Sequence, residues 1–288
     1  MGIQQEGTGV ICRLLFIVLL VGYAFYIVPF TSYMKNRPVA VKLGYVPSAE
    51  VFRVAVGDQK LLVAHAAVVK VLVYYGTLID RINNKIVLPA EYHNMYTTLQ
   101  TAVKLDPYNN DSYYFSQGAF TWEVGRAKEV NLMLDYGMKY RTWDPMLPFF
   151  AGFNAAYFLK QYEPAAHYMK MAAELSGNPL FTNLTARYFY ESDKSQLGIS
   201  FLEIMEKGAK DEKVRKLYRL RRTALQAVLN IQAAVSQFKE QNGRLPERIE
   251  ELIEHGNLKR LPQDPYGGSF YLDKEGTVRT TSKFAVGG

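Results

Sequence analysis

A single cysteine, Cys12, stands in a sequence of 288 residues. This excludes an intrachain disulfide and any zinc site built from paired thiolates. No apolar stretch precedes Cys12, so the lead of a lipoprotein signal is missing. The four histidines, His65, His93, His167 and His255, lie far apart and form no H-x-x-x-H pair. There is no G-x-x-x-x-G-K-[ST] phosphate loop, no G-x-G-x-x-G and no G-x-S-x-G elbow. No catalytic, cofactor-binding or metal site is therefore expected, and the chain does not read as an enzyme. Charge is missing altogether between Leu14 and Met34, "LLFIVLLVGYAFYIVPFTSYM".

That uncharged run is long enough to span ~30 Å of hydrocarbon as a helix. Arg13 and Lys35 bracket it, and Tyr23, Tyr26 and Tyr33 suit a membrane interface. A cleaved signal peptide and a buried helix are the competing readings. The run exceeds a usual signal core and no A-x-A-like site follows, which favours a retained single-span anchor. Counting Lys and Arg across it, Arg13 against Lys35, Arg37 and Lys42, would place the large domain in the cytoplasm. A short anchor ahead of a large domain is equally the arrangement of an exported protein.

The rest has the makeup of a folded chain, 49% apolar and 21% charged with net charge +7. Its 21 tyrosines and 16 phenylalanines suit interaction surfaces more than catalysis. Residues 1–34 form a tail and anchor, and the Pro- and Gly-bearing residues 35–47 form a linker. Ser48 is a candidate N-cap, Gly57 a break. The apolar stretch after Gly57 is interrupted by His65 and Lys70 and reads as a buried or membrane-adjacent helix rather than a second span.

From there the chain is periodic. Short cadences end at Pro107, Pro145 and Pro179, and the last interval has the 34-residue period of tetratricopeptide repeats. The stretch "MLPFFAGFNAAYFLKQYEPAAHYMKMAAELSGNP" resembles that family. Phe150, Phe153, Asn154 and Tyr157 fall at its first-helix positions, and Ala165, Met169 and Ala172 at the small-large-small sites of its second helix. "SYYFSQGAFTW" and "NLTARYFYESDKSQLGISFLEIM" match more loosely. The resemblance implies an α-α solenoid over residues 48–210 with a concave, partner-binding side. Phe115, Ala119 and Trp122 in one repeat, with Ala151, Ala155, Phe158 and Leu159 in the next, are expected to face it. These side chains are apolar, which suits an apolar helix or internal filling rather than an acidic tail.

No helix breaker occurs between Asp211 and Asn242, where apolar residues from Leu217 to Phe238 recur at helical spacing. A basic run there, from Lys213 to Arg222, reads as a solvated face. It lacks the aromatic platform of a nucleic-acid site, so no nucleic acid is expected. Asn242-Gly243 should end the helix and Pro246 open a short one, "ERIEELIEH". "SFYL" and "TVRTTS", joined by "DKEG", predict a hairpin folded back on the long helix. Asp264 is expected to pin the preceding loop as an Asx turn.

The order helix, N-G-x-x-P, short helix, L-P-x-D-P-aromatic-Gly, sheet resembles the globular half of type II secretion pseudopilins. Asn242, Gly243, Pro246, Leu261, Pro262, Asp264, Pro265, Tyr266 and Gly267 carry it. The anchor does not lead directly into this helix, and no acidic calcium loop follows, so the chain departs from a polymerising pilin. The resemblance implies a pilin-like module in residues 211–288 and an extracytoplasmic face. The fold expected is mainly α: one transmembrane helix, a tetratricopeptide-like solenoid, a long helix and a small hairpin. The function expected is a protein-binding scaffold anchored by residues 14–34 in the bacterial inner membrane, for a secretion or type IV pilus assembly. A cytoplasm-facing adaptor using the basic helix at lipid is the alternative, and an enzyme with an unrecognised site a distant third.

Overall fold

The computed structural model describes residues 3–35, 42–83, 90–282 and 284, with side chains described at 13–33, 42–78, 90–282 and 284. The Cys12 side chain and residues 36–41 of the linker expected at 35–47 lie outside these. Among the described residues the protein is mainly helical, with one small antiparallel sheet near the C-terminus. Two units can be separated, Met1–Tyr45 with Val69–Glu91, and Val46–Val68 with Tyr92–Gly288.

The first unit holds α1 (Ile3–Lys35) and most of α3 (Lys60–Asn83). The described apolar side chains of α1 are exposed along the helix. In the same unit Leu43, Val71 and Tyr74 are buried. The Tyr74 hydroxyl accepts from the Glu91 N–H at 2.9 Å, and Gly44 N–H donates to the Glu91 carboxylate at 3.1 Å. Among the described residues, two stretches are long and apolar enough to cross a membrane, Arg13–Tyr33 and Ala49–Leu78. The second is partly buried.

The second unit begins with α2 (Ala49–Val56), a 3-10 turn (Gly57–Gln59) and the start of α3. Ser48 holds the N-cap position of α2, though its side chain makes no capping bond. There follow α4 (Tyr92–Leu105), α5 (Asn110–Ser116), α6 (Ala127–Met138), α7 (Met146–Tyr157), α8 (Tyr162–Ser176), α9 (Pro179–Glu191), α10 (Ser195–Gly208) and α11 (Glu212–Asn242). From α6 to α11 each helix packs on the next. Caps mark the ends: Asn178 Oδ1 accepts from Leu180 N–H ahead of Pro179, and Asp211 Oδ1 from Lys213 N–H. Gly177 and Gly243 take left-handed backbone at φ +65° and +68° to close α8 and α11.

Helix α5 runs straight into a π-helical segment, Gln117–Glu123, where the sequence predicts an ordinary repeat helix. Three turns then place a left-handed residue at the same point before a helix. Gly125, Lys160 and Asp193 each precede the following helix by two residues and have φ of +70°, +55° and +59°. The next residue's N–H, on Arg126, Gln161 and Lys194, donates back to the carbonyls of Phe120, Ala155 and Phe189. Small residues set the helix spacing: Ala165, Ala166, Ala172 and Ala173 are fully buried on α8. A Cβ at Gly152 would stand 3.1 Å from Met169 and 3.2 Å from the Ala165 carbonyl.

One apolar core joins α9 and α10 to α11 and the hairpin, so the sequence boundary expected at 210/211 carries no break in packing. It includes Tyr190, Ile199, Leu202, Leu225, Ile231, Phe238 and Val278. The short helix predicted from "ERIEELIEH" is reduced to α12 (Glu251–Glu254). Glu251 Oε1 reaches back to accept the N–H groups of Glu247 and Arg248, which would otherwise belong to the first helical turn. Strands β1 (Phe270–Leu272) and β2 (Val278–Thr280) pair antiparallel, Phe270 opposite Thr280 and Leu272 opposite Val278. The hairpin lies on α11, as the sequence implied, through the Gln232 side chain accepting from Val278 N–H at 3.0 Å. It also meets α9, which the sequence did not foreshadow: Thr280 N–H donates to the Tyr190 hydroxyl at 3.1 Å.

Candidate functional site: an aromatic surface on a buried amide network

Three amide side chains, from three separate segments, meet inside the second unit. Gln117 on the π segment and Asn154 on α7 exchange reciprocal bonds, each 2.8 Å. Asn154 also donates to Asn131 Oδ1 on α6 at 2.9 Å, and Asn131 donates to the Ala151 carbonyl at 3.0 Å. All three residues are buried. A buried amide without partners is costly, so this closed set fixes the register of α7 against the π segment and α6.

The network carries an aromatic surface. Trp122 projects from the π segment and is 55% exposed; Tyr157, at the end of α7, is 54% exposed. The Trp122 ring lies 5.8 Å from both Phe153 and Tyr157 and 5.0 Å, edge-on, from Phe158. Phe153 and Tyr157 stack at 5.4 Å, and the Lys160 ammonium sits 5.3 Å over the Tyr157 ring. The row continues through Phe149, which contacts Phe153 and stacks on Phe181 of α9 at 4.9 Å. Tyr114 and Phe150 meet edge-on at 5.1 Å. Such rings are rigid, bury much area on contact and lose little side-chain entropy, the properties of a binding hot spot.

The seven residues predicted to line a groove divide between two places. Trp122 and Phe158 belong to the aromatic cluster, and Phe115 and Leu159 are half-buried. Ala119, Ala151 and Ala155 are buried between helices. Their small side chains permit close helix approach, so they support the surface rather than offer it. Phe153 and Tyr157 were read from sequence as repeat-pattern positions, yet they contribute to the exposed face. The i, i+4 spacing of Phe149, Phe153 and Tyr157 is the signal that could have placed them together.

Three arginines of the basic run of α11 are ion-paired. Arg215 pairs with Glu212, Arg219 with Glu206, and Arg222 with Glu203 and Glu206. The two arginines beside Glu206 offset its desolvation and hold its carboxyl below the usual range. Arg221 is not on the solvated face at all. It is buried, donates to the Phe284 carbonyl at 2.8 Å and lies over the Tyr266 and Phe284 rings.

Asp264 forms the expected Asx turn, its Oδ1 accepting from Tyr266 N–H at 2.9 Å. Its other oxygen accepts from the Thr280 and Ser282 hydroxyls, tying the loop to β2. The histidines remain dispersed. His65 and His255 bond to the Leu61 and Glu251 carbonyls, one turn back on their own segments. Among the described residues no group of three His, Cys, Asp or Glu side chains could hold a metal ion. No family model matches the chain, and no curated protein or solved structure is significantly similar to it.

Proposed function

We propose that the chain is a membrane-anchored protein-interaction scaffold of the bacterial inner membrane, with its large helical part on the extracytoplasmic side. Residues 14–34 serve as the single span. The helix pairs α5–π/α6, α7/α8 and α9/α10 act as tetratricopeptide-like repeats, and α11 with the hairpin closes the stack as a pilin-like module. The three left-handed turns at Gly125, Lys160 and Asp193 support the repeat reading, because they recur at matching places in successive pairs. The assembly served is one for secretion or a type IV pilus, a reading supported by the Asp264 loop and hairpin and by nothing chemical in the repeats.

The observation that carries binding over catalysis is the cluster of exposed Trp122 and Tyr157 with half-buried Phe153 and Phe158 on a fixed amide network. Its partner is an apolar or aromatic-bearing polypeptide segment, held by ring packing with Lys160 at the edge. The cytoplasmic adaptor reading loses its main feature, since most arginines of the basic helix are already paired or buried.

A photo-crosslinking amino acid at position 157, introduced in cells, tests the surface. A discrete crosslinked protein is expected there and not at position 170 on α8, and Trp122→Ala should abolish it. Equal crosslinking at both positions, or none at 157, would remove the scaffold reading. A reporter active only outside the cytoplasm, fused after residue 288, tests the orientation: activity is expected, and its absence would refute the extracytoplasmic placement.

A further inference from the structure

A second feature lies at the other end of this unit. A cavity of about 550 Å³ is bounded by α2, the start of α3, the end of α4 and α6. Three cations line it: Arg53, Lys60 and Lys104. Arg53 is set in place by donating to the Lys104 carbonyl at 2.8 Å. Tyr136 and Tyr140 close the opposite wall, with the Tyr136 hydroxyl donating to Tyr140 at 3.3 Å. Burial pushes the Tyr136 phenol above its ordinary range.

Three carboxylates, Glu50, Asp58 and Asp106, neighbour these cations, and among the described residues only Glu50 comes within ion-pairing distance of one. Glu50 approaches Lys104 only at 4.0 Å with both groups well exposed, a pairing of little worth. Asp106 accepts from Tyr108 N–H and faces His65 at 3.9 Å. Apolar side chains flank the cations on the same short stretch. Val54 is 89% exposed, and Val51, Leu61 and Leu62 are also exposed. Cations beside solvent-facing aliphatic groups match the layered chemistry of a lipid surface, phosphate above and acyl chain below. A free phosphate would use the cations and leave the valines and leucines without purpose.

We infer that this cavity is a headgroup site for an anionic phospholipid, with α2 and the first turn of α3 lying in the membrane interface. Only residues 36–48 separate α1 from α2, a chain of about 45 Å at full extension. The inference rests on the membrane-anchored reading for the source of lipid, and the two fail separately in the following test.

Full-length protein in a neutral detergent is titrated with short-chain phosphatidylglycerol, short-chain phosphatidylcholine and inorganic phosphate. Binding is followed by native mass spectrometry and by tryptophan emission in a Trp122→Phe background. There Trp143 is the remaining tryptophan, stacked 6.1 Å from Tyr108 on the cavity wall. Phosphatidylglycerol should bind at least about tenfold tighter than the other two. Lys60→Gln and Lys104→Gln should each weaken it about fivefold, and together about 25-fold. The pair Lys213→Gln and Lys216→Gln on α11 should leave it unchanged, with all variants matched in thermal unfolding.

Equal binding of phosphatidylcholine or phosphate would overturn the inference, as would an unchanged cavity double variant or a loss confined to the α11 pair. Carbonate extraction of membranes reads the anchor independently. Protein released by carbonate that still prefers phosphatidylglycerol would sink the anchor and keep the site.

Discussion

Asn154 shows how much one side chain can organise. It lies fully buried on α7, and its amide serves Gln117 and Asn131 at once. Asn154→Ala should lower stability by about 3 kcal/mol, because two buried amides lose partners. Urea unfolding should report this as a lower midpoint with an unchanged slope. The sequence placed Asn154 on the right helix but hid the network, which joins residues 117, 131 and 154 only through tertiary packing. Arg221 was misread for a similar reason. Within a run of basic residues nothing local separates the one that turns inward beneath Tyr266 from those that pair on the surface. Asp264 was legible because its first bond is local, two residues along the chain.

Elements with strong local signals were well read. The long helix expected between Asp211 and Asn242 is α11, because its cap, apolar period and terminal glycine all agree. The π segment was not foreseen; the contacts of Gln117 and Trp122 with Asn154 and Phe153 of α7 lie far off in sequence and leave no local signal. The hairpin was legible as strands, but its seat on α9 was not. Tyr190 holds that seat: its hydroxyl donates to the Val278 carbonyl and accepts from Thr280 N–H. Burial pushes the phenol up to about 12, against a lesser pull from Arg279. A raised folded-state value means that the native state holds the proton, so this stabilisation is complete below pH 10 and is lost as pH climbs toward 12. Between those limits the wild type should lose about 2–3 kcal/mol more than Tyr190→Phe. At neutral pH Tyr190→Phe should itself cost about 1–2 kcal/mol, through the stranded Thr280 N–H. Denaturant melts of both proteins across the alkaline range check the slope and the offset.

At the level of the larger unit, each helix from α6 to α11 packs on the next, so its stability is drawn from contacts between successive helices. Here α11 and the hairpin supply the closure for α9 and α10. Ending the chain at residue 208 would expose Ile199 and Leu202, and hydrogen exchange should then show lost protection in α9 and α10 ahead of α7 and α8. Uniform loss across the stack would instead mean that the unit unfolds as a single block. The bond between Tyr190 and Thr280 spans 90 residues. At synthesis rates of about 5–20 residues per second, roughly 5–20 seconds separate the emergence of its two ends from the ribosome. Until α11 has emerged the nascent chain carries an uncovered apolar flank on α9 and α10, and the seat for the hairpin stays open for the full interval. That flank is an opening for a chaperone, and for misassembly when none arrives.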